Sequence, residues 1–102
     1  MTTDRTLRLT DGTPASEHRW RAARARREGL EGARHAAAMK SAGLAYAAET
    51  AYRCAAIAVR DAASHYISAS AAVGGTSEDT AAALRCCREA YDLDLLAEAC
   101  RL

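Results

Sequence analysis

Alanine content is the feature that most limits what this chain can fold into. Alanine fills 27 of the 102 positions, proline occurs once and phenylalanine is absent. Alanine is the best helix former because fixing its side chain in a helix costs no rotamer entropy. The composition therefore predicts an all-α fold, a small helical bundle made of a helical hairpin or of three helices.

The same composition predicts a thin hydrophobic core. Leucine, isoleucine and valine together occupy only 13 positions. A buried alanine removes little apolar surface from water, and the gain is about 25 cal/mol per Å². We therefore expect a domain that is weakly stabilised by itself and is completed by dimerisation or by a protein partner.

Turn-forming residues separate an N-terminal arm from one helical domain. Asp11-Gly12 favours a chain reversal, and Pro14 disfavours a helical conformation for the residue before it. We expect a flexible arm over residues 1–14 and a single helical domain over residues 15–102. The predicted helices cover approximately 16–31, 33–73 and 77–100.

Capping residues and glycines set the predicted helix boundaries. Ser16 is the expected N-cap of the first helix, and Gly29 with Gly32 predicts a break or bend at 29–32. Gly43 leaves open a division of the long second helix into two. Gly74-Gly75, followed by capping and acidic residues at 76–79, predicts the end of one helix and the start of the next.

Neither the net charge nor the hydropathy of the chain indicates binding to a membrane. The formal net charge is +1, and no segment approaches the roughly 20 apolar residues of a membrane span. The first residues lack the apolar centre of a secretory signal. We expect a cytoplasmic protein without membrane contact.

The last predicted helix is apolar on two sides. One stripe contains Leu84, Cys87, Tyr91 and Leu95, and the other contains Cys86, Ala90, Leu93, Ala97 and Cys100. A helix of this kind usually packs against two neighbours, and one of them can belong to another chain. The predicted partner-binding residues are Trp20, Tyr66, Leu84, Tyr91 and Leu95.

The segment Arg60 to Tyr66 gives one catalytic alternative. Arg60 and His65 form an Arg-x4-His motif, followed by Tyr66. This motif resembles the Arg-x4–6-His signature of the HEPN helical ribonucleases. The resemblance implies RNA cleavage by Arg60 and His65 at a dimer interface. The interpretation from the residues alone is a helix face, on which Asp61 pairs with His65 at i,i+4 and Arg60 points toward solvent.

The arginine-rich segment 19–34 surrounds Trp20 and gives a second alternative. Arginines interleaved with an aromatic ring can contact phosphates and stack on a base. The candidate nucleic-acid-binding residues are Arg19, Arg21, Arg24, Arg26 and Arg27. The competing interpretation is a solvated helix supported by i,i+4 pairs, namely Glu17/Arg21, Arg24/Glu28 and Arg27/Glu31.

The four cysteines predict no metal site. No CxxC motif occurs, and no cysteine lies three or four residues from a histidine. We expect buried free thiols and neither a metal nor a cofactor. A disulfide from Cys54 to the last helix, or a metal held by Cys87 and His65, stays open as an alternative.

These patterns together favour an interaction protein over an enzyme. We expect a small regulatory protein, of the adaptor or inhibitor type, that docks its alanine, tyrosine and cysteine faces onto a second copy of itself or another protein. The alternatives are a HEPN-like ribonuclease or toxin and a nucleic-acid-binding protein.

Overall fold

Three long helices make up the structure. A computed structural model describes residues 12–102. Helix α1 spans Ala15–Ser41, α2 spans Ala45–Ala71 and α3 spans Ser77–Ala99, and no strand occurs within residues 12–102. The all-α prediction is confirmed, whereas most of the predicted N-terminal arm lies outside the described residues.

The N-terminal half of the chain forms one continuous helix, so the predicted break at 29–32 is wrong. Helix α1 continues through Gly29 and Gly32 to Ser41. A Cβ atom at Gly29 would lie 2.7 Å from Val59 Cγ2, so this glycine lets α1 approach α2 closely. Packing therefore outweighs the weak helix propensity of glycine. The predicted N-cap is also wrong, because α1 begins at Ala15 and Ser16 lies inside it.

The break between the first two helices falls at Gly43, the alternative that the sequence left open. Gly43 has a φ of +82°, a left-handed conformation that glycine adopts without steric cost. Its N–H donates to the Lys40 carbonyl at 3.0 Å, and the Leu44 N–H donates to the Met39 carbonyl at 2.9 Å. This pair of bonds is a Schellman motif, which satisfies the last carbonyls of α1 and reverses the chain.

Helix α2 is the central element of an up-down-up arrangement. It packs against both α1 and α3, whose backbones make little contact with each other. The buried residues of α2 cover a wide arc around the helix. Tyr52, Ala56, Val59 and Ala63 are buried as well as Ala48, Ala55, Ala62 and Ala69, because α2 packs against two neighbours instead of one.

The core consists mainly of methyl groups. The largest side chains that are fully buried are those of Val59 and Cys86. Within residues 12–102, Val59 and Leu93 are the only leucine, isoleucine or valine residues that are buried. Most of the large aliphatic side chains therefore lie on the surface, where they add no buried apolar area to the core.

Candidate interaction surface

The outer face of α3 carries a row of exposed apolar side chains, which we call the α3 stripe: Leu84, Cys87, Tyr91 and Leu95. Leu84 is 65% exposed, Tyr91 62% and Leu95 51%. The second predicted stripe faces inward, and its five residues (Cys86, Ala90, Leu93, Ala97 and Cys100) are all buried. One stripe of α3 therefore packs on the core, and the other is unpartnered within residues 12–102.

Helix geometry explains why the α3 stripe is continuous. At about 100° per residue, Leu84, Tyr91 and Leu95 lie within about 40° of one another around the helix axis. Leu84 and Leu95 are 11 residues apart, which corresponds to about 16 Å along the helix. The stripe is therefore a straight apolar row of about three turns.

Two charged residues of opposite sign border one side of the α3 stripe. Arg88 and Asp92 are both exposed, and neither has an ion-pair partner among residues 12–102. On the other side of the stripe, Asp94 and Glu98 are already engaged by arginines of α2. Arg88 and Asp92 were not among the predicted partner-binding residues. The signal available in the sequence is the change from a positive charge at Arg88 to a negative charge at Asp92 beside the predicted stripe.

Helix α2 adds apolar surface level with the start of the stripe. Arg53 contacts Glu98 at 3.4 Å, and Arg60 contacts Asp94. These pairs set an antiparallel register in which Ile67 lies level with residues 84–87. Ile67 is 57% exposed, so α2 also presents an exposed apolar side chain at this end.

Trp20 and Tyr66, the other two predicted partner-binding residues, are not members of the α3 stripe. Trp20 is 57% exposed and lines a groove of about 350 Å³ that Asp61 and His65 also line. The Arg24 guanidinium lies 5.6 Å from the centre of the Trp20 ring, a cation–π distance. Tyr66 is half-buried and lines a different groove, together with Arg26, Cys86 and Arg88, and Arg88 borders the α3 stripe. Trp20 and Tyr66 therefore line different grooves.

The residues of the ribonuclease-like motif face different neighbours. Arg60 forms an ion pair with Asp94 of α3 instead of pointing freely into solvent. His65 Nε2 lies 3.4 Å from Asp61 Oδ2, which is the local pair that the sequence indicated. His65 lines the groove beside α1, whereas Arg60 reaches toward α3. The two side chains and Tyr66 therefore do not converge on one point.

Most of the arginines proposed for nucleic-acid binding are in ion pairs. Arg21 contacts Glu17 at 3.4 Å and Arg24 contacts Glu28 at 3.2 Å, as the i,i+4 spacing indicated. Arg19 pairs with Asp79 and Arg26 with Glu89, both at 2.6 Å, and these two pairs link α1 to α3. Arg27 has no carboxylate partner among residues 12–102, so its predicted pair with Glu31 is not formed.

Asp79 is a buried carboxylate at the junction of all three helices. It accepts hydrogen bonds from Arg19 Nε at 2.6 Å, from Arg19 Nη2 at 2.8 Å and from the Thr76 N–H at 2.9 Å. These donors lower the pKa of Asp79 to about 2, with Arg19 the largest cause and burial opposing it. Arg19 Nη2 also donates to the Gly74 carbonyl at 2.7 Å. The position of Asp79 at a helix N-terminus was predicted from the sequence, but its pairing with Arg19 was not.

The cysteines follow the prediction only in part. Cys86 and Cys100 are buried, whereas Cys54 and Cys87 are exposed, and all four are free thiols. Burial is the main cause that raises the pKa of Cys86. Within residues 12–102 no group of three metal-ligating side chains comes together.

No protein-family model, curated protein or solved structure matches this chain. Across residues 12–102, none of the helices combines the length and apolarity needed to cross a bilayer.

Proposed function

We propose that this protein is a helical interaction protein, of the adaptor or inhibitor type, whose docking surface is the α3 stripe. The observation that carries the proposal is the exposure of Leu84, Tyr91 and Leu95 in one straight row. Single exposed apolar residues are normal on a protein surface, but a contiguous apolar row bordered by charges is typical of a binding site. An aromatic and two leucines along a helix supply the i, i+7, i+11 anchors of helix docking.

The distribution of large and small side chains supports the same proposal. Alanines fill the interior, and the bulky aliphatic side chains remain outside it. Since burial of a leucine contributes about 1.5–3 kcal/mol, the exposed leucines of α3 are an unused source of stability. Covering them with a partner would supply apolar burial that the alanine core lacks.

Two tyrosines allow a direct test of docking. Tyr91 lies in the α3 stripe, and Tyr46 is an 83% exposed tyrosine on α2 outside the stripe. Hydroxyl-radical footprinting in cells that produce the protein, with mass spectrometry as the readout, measures the reactivity of both rings. We expect Tyr91 to be several-fold less reactive than Tyr46, because a docked partner shields it.

Dilute purified protein provides the reference for each ring. There both tyrosines are expected to react at rates set by their exposure in the single chain. Equal relative reactivity of Tyr91 and Tyr46 in cells and in the dilute protein would show that nothing covers the stripe, and the proposed function would then be wrong.

A further inference from the structure

We infer that the partner of the α3 stripe is a second copy of this chain, with the two α3 helices packed antiparallel about a two-fold axis near residues 89 and 90. This inference rests on the proposed function, since it names the occupant of the same surface. The proposed assembly is a homodimer in which the two α3 helices have a defined register.

The spacing of the leucines supports this register. In an antiparallel pair centred between residues 89 and 90, Leu84 of one protomer lies level with Leu95 of its partner. By the two-fold symmetry, Leu95 of the first lies level with Leu84 of the second. Both ends of the stripe then bury a leucine against a leucine, and Tyr91 lies between them. The stripe is thus complementary to its own reversed copy.

The unpaired charges support the same arrangement. Across an antiparallel pair, equivalent flanks of the two helices meet. Arg88 and Asp92 border the same flank, and in this register Arg88 lies within about one residue, roughly 1.5 Å along the axis, of the partner's Asp92. The dimer therefore contains two Arg88–Asp92 pairs. In each pair, Arg88 and Asp92 both gain an ion-pair partner that they lack within residues 12–102 of one chain.

The dimer is expected to be weak enough to dissociate on dilution. A stable interface buries about 800 Å² per partner, and a stripe of about three helical turns supplies only part of that area. Sedimentation velocity over a concentration series should therefore show a monomer–dimer equilibrium in the micromolar range. The melting temperature should rise with protein concentration, because association stabilises the folded state by mass action.

Apolar contact is tested with a matched pair of substitutions. L84E places a charge in the stripe, and I57E makes the same change on α2, where Ile57 is 65% exposed like Leu84. We expect L84E to be monomeric across the concentration series and I57E to dimerise like the wild type. Both residues are exposed, so circular dichroism should show the same helix content in both variants. Equal dimerisation of L84E and I57E would overturn the inference.

Charge reversal tests the register and does not depend on loss of folding. R88E and D92R should each weaken dimerisation by about tenfold, because each dimer then has two like-charge contacts. In a mixture of R88E with D92R, the introduced glutamate faces the introduced arginine, and the native Asp92 of one chain faces the native Arg88 of the other. Both contacts then join opposite charges, so we expect the mixture to associate about as tightly as the wild type. A mixture no tighter than either variant alone would show that this register is wrong.

The results for the second copy and for the docking surface can be distinguished. A wild-type chain that stays monomeric at several hundred micromolar overturns self-association. If Tyr91 is nevertheless protected in cells, the proposed function holds with another partner. If Tyr91 is unprotected there as well, both ideas fail.

Discussion

The guanidinium of Arg19 donates two hydrogen bonds, at 2.6 and 2.8 Å, to the carboxylate of Asp79, 60 residues further along the chain. This pair joins the N-terminal ends of α1 and α3, and Arg19 also donates to the carbonyl of Gly74 in the connection between α2 and α3. The Ala15 N–H donates to the Val73 carbonyl at 3.1 Å beside it. One end of the bundle is therefore closed by polar contacts beside a small cluster of buried alanines, Ala15, Ala69 and Ala72.

Replacing Asp79 should destabilise the fold measurably. D79N removes a buried charge that accepts hydrogen bonds from Arg19 and Thr76, and it leaves Arg19 without its carboxylate partner. We expect the free energy of unfolding to fall by about 1–3 kcal/mol, measured by urea denaturation at pH 7. E78Q is the matched control, because Glu78 is exposed in the same first turn and has no ion-pair partner in residues 12–102. An equal loss in both variants would mean that only the helix dipole matters.

Acid should weaken the fold through the same carboxylate. The pKa of Asp79 is lowered to about 2 in the folded chain, against an ordinary value of 3.8. A lowered pKa means that the folded state binds the proton less readily than the unfolded state, so the contribution is present above about pH 4. It is lost as the pH falls from about 4 to about 2. Urea midpoints across this range should decline more steeply for the wild type than for D79N.

Two helical glycines should respond oppositely to the same substitution. A Cβ atom at Gly29 would lie 2.7 Å from Val59 Cγ2, so G29A should lower the free energy of unfolding by about 1–3 kcal/mol. At Gly32 the nearest atom is Ala55 Cβ at 3.7 Å, an ordinary contact. G32A should therefore raise stability by about 0.5–1 kcal/mol, the usual gain of alanine over glycine in a helix. Thermal denaturation measures the sign of the stability change in each variant. A stabilising effect of G29A would contradict the close packing of α1 on α2.

A buried histidine should be a cost to stability. His18 is 7% exposed, and neither ring nitrogen has a hydrogen-bond partner within residues 12–102. H18L removes the unsatisfied polar atoms at similar volume, so we expect the free energy of unfolding to rise by about 1–3 kcal/mol. H35L controls for the better helix propensity of leucine, because His35 is exposed on the same helix. If H18L gains no more than H35L, the ring of His18 is satisfied in solution.

RNA cleavage by the Arg60–His65 motif is not expected, and this can be tested directly. Arg60 contacts Asp94 while His65 contacts Asp61, so within one chain the pair does not meet around one phosphate. We expect a fluorogenic single-stranded RNA to remain intact with the wild type and with H65A alike. Cleavage that H65A abolishes, with unchanged circular dichroism, would restore the ribonuclease interpretation.

Binding to the same RNA should be absent at about 50 mM salt, because four of the five candidate arginines are in ion pairs.

Local chemistry made several features of this protein predictable from its sequence. The alanine content predicts helices, and Gly74-Gly75 with the residues after it predicts the start of α3 at Ser77, where the structure has it. The two stripes of α3 follow from helical periodicity, and the i,i+4 pairs Arg21–Glu17 and Arg24–Glu28 follow from spacing alone. All of these depend on residues that are close together along the chain.

Other features could not be predicted from the sequence because they depend on which helix meets which. The break at 29–32 was predicted from glycine propensity, but Val59 lies against Gly29 only after α1 has packed on α2. Likewise, Arg19 and Arg26 are indistinguishable from surface charges until Asp79 and Glu89 are brought beside them. The sequence by itself determined the helical fold class, the start of α3 and the apolar row on α3. Only the tertiary structure decided that this row faces outward, because burial depends on contacts between segments far apart in the chain.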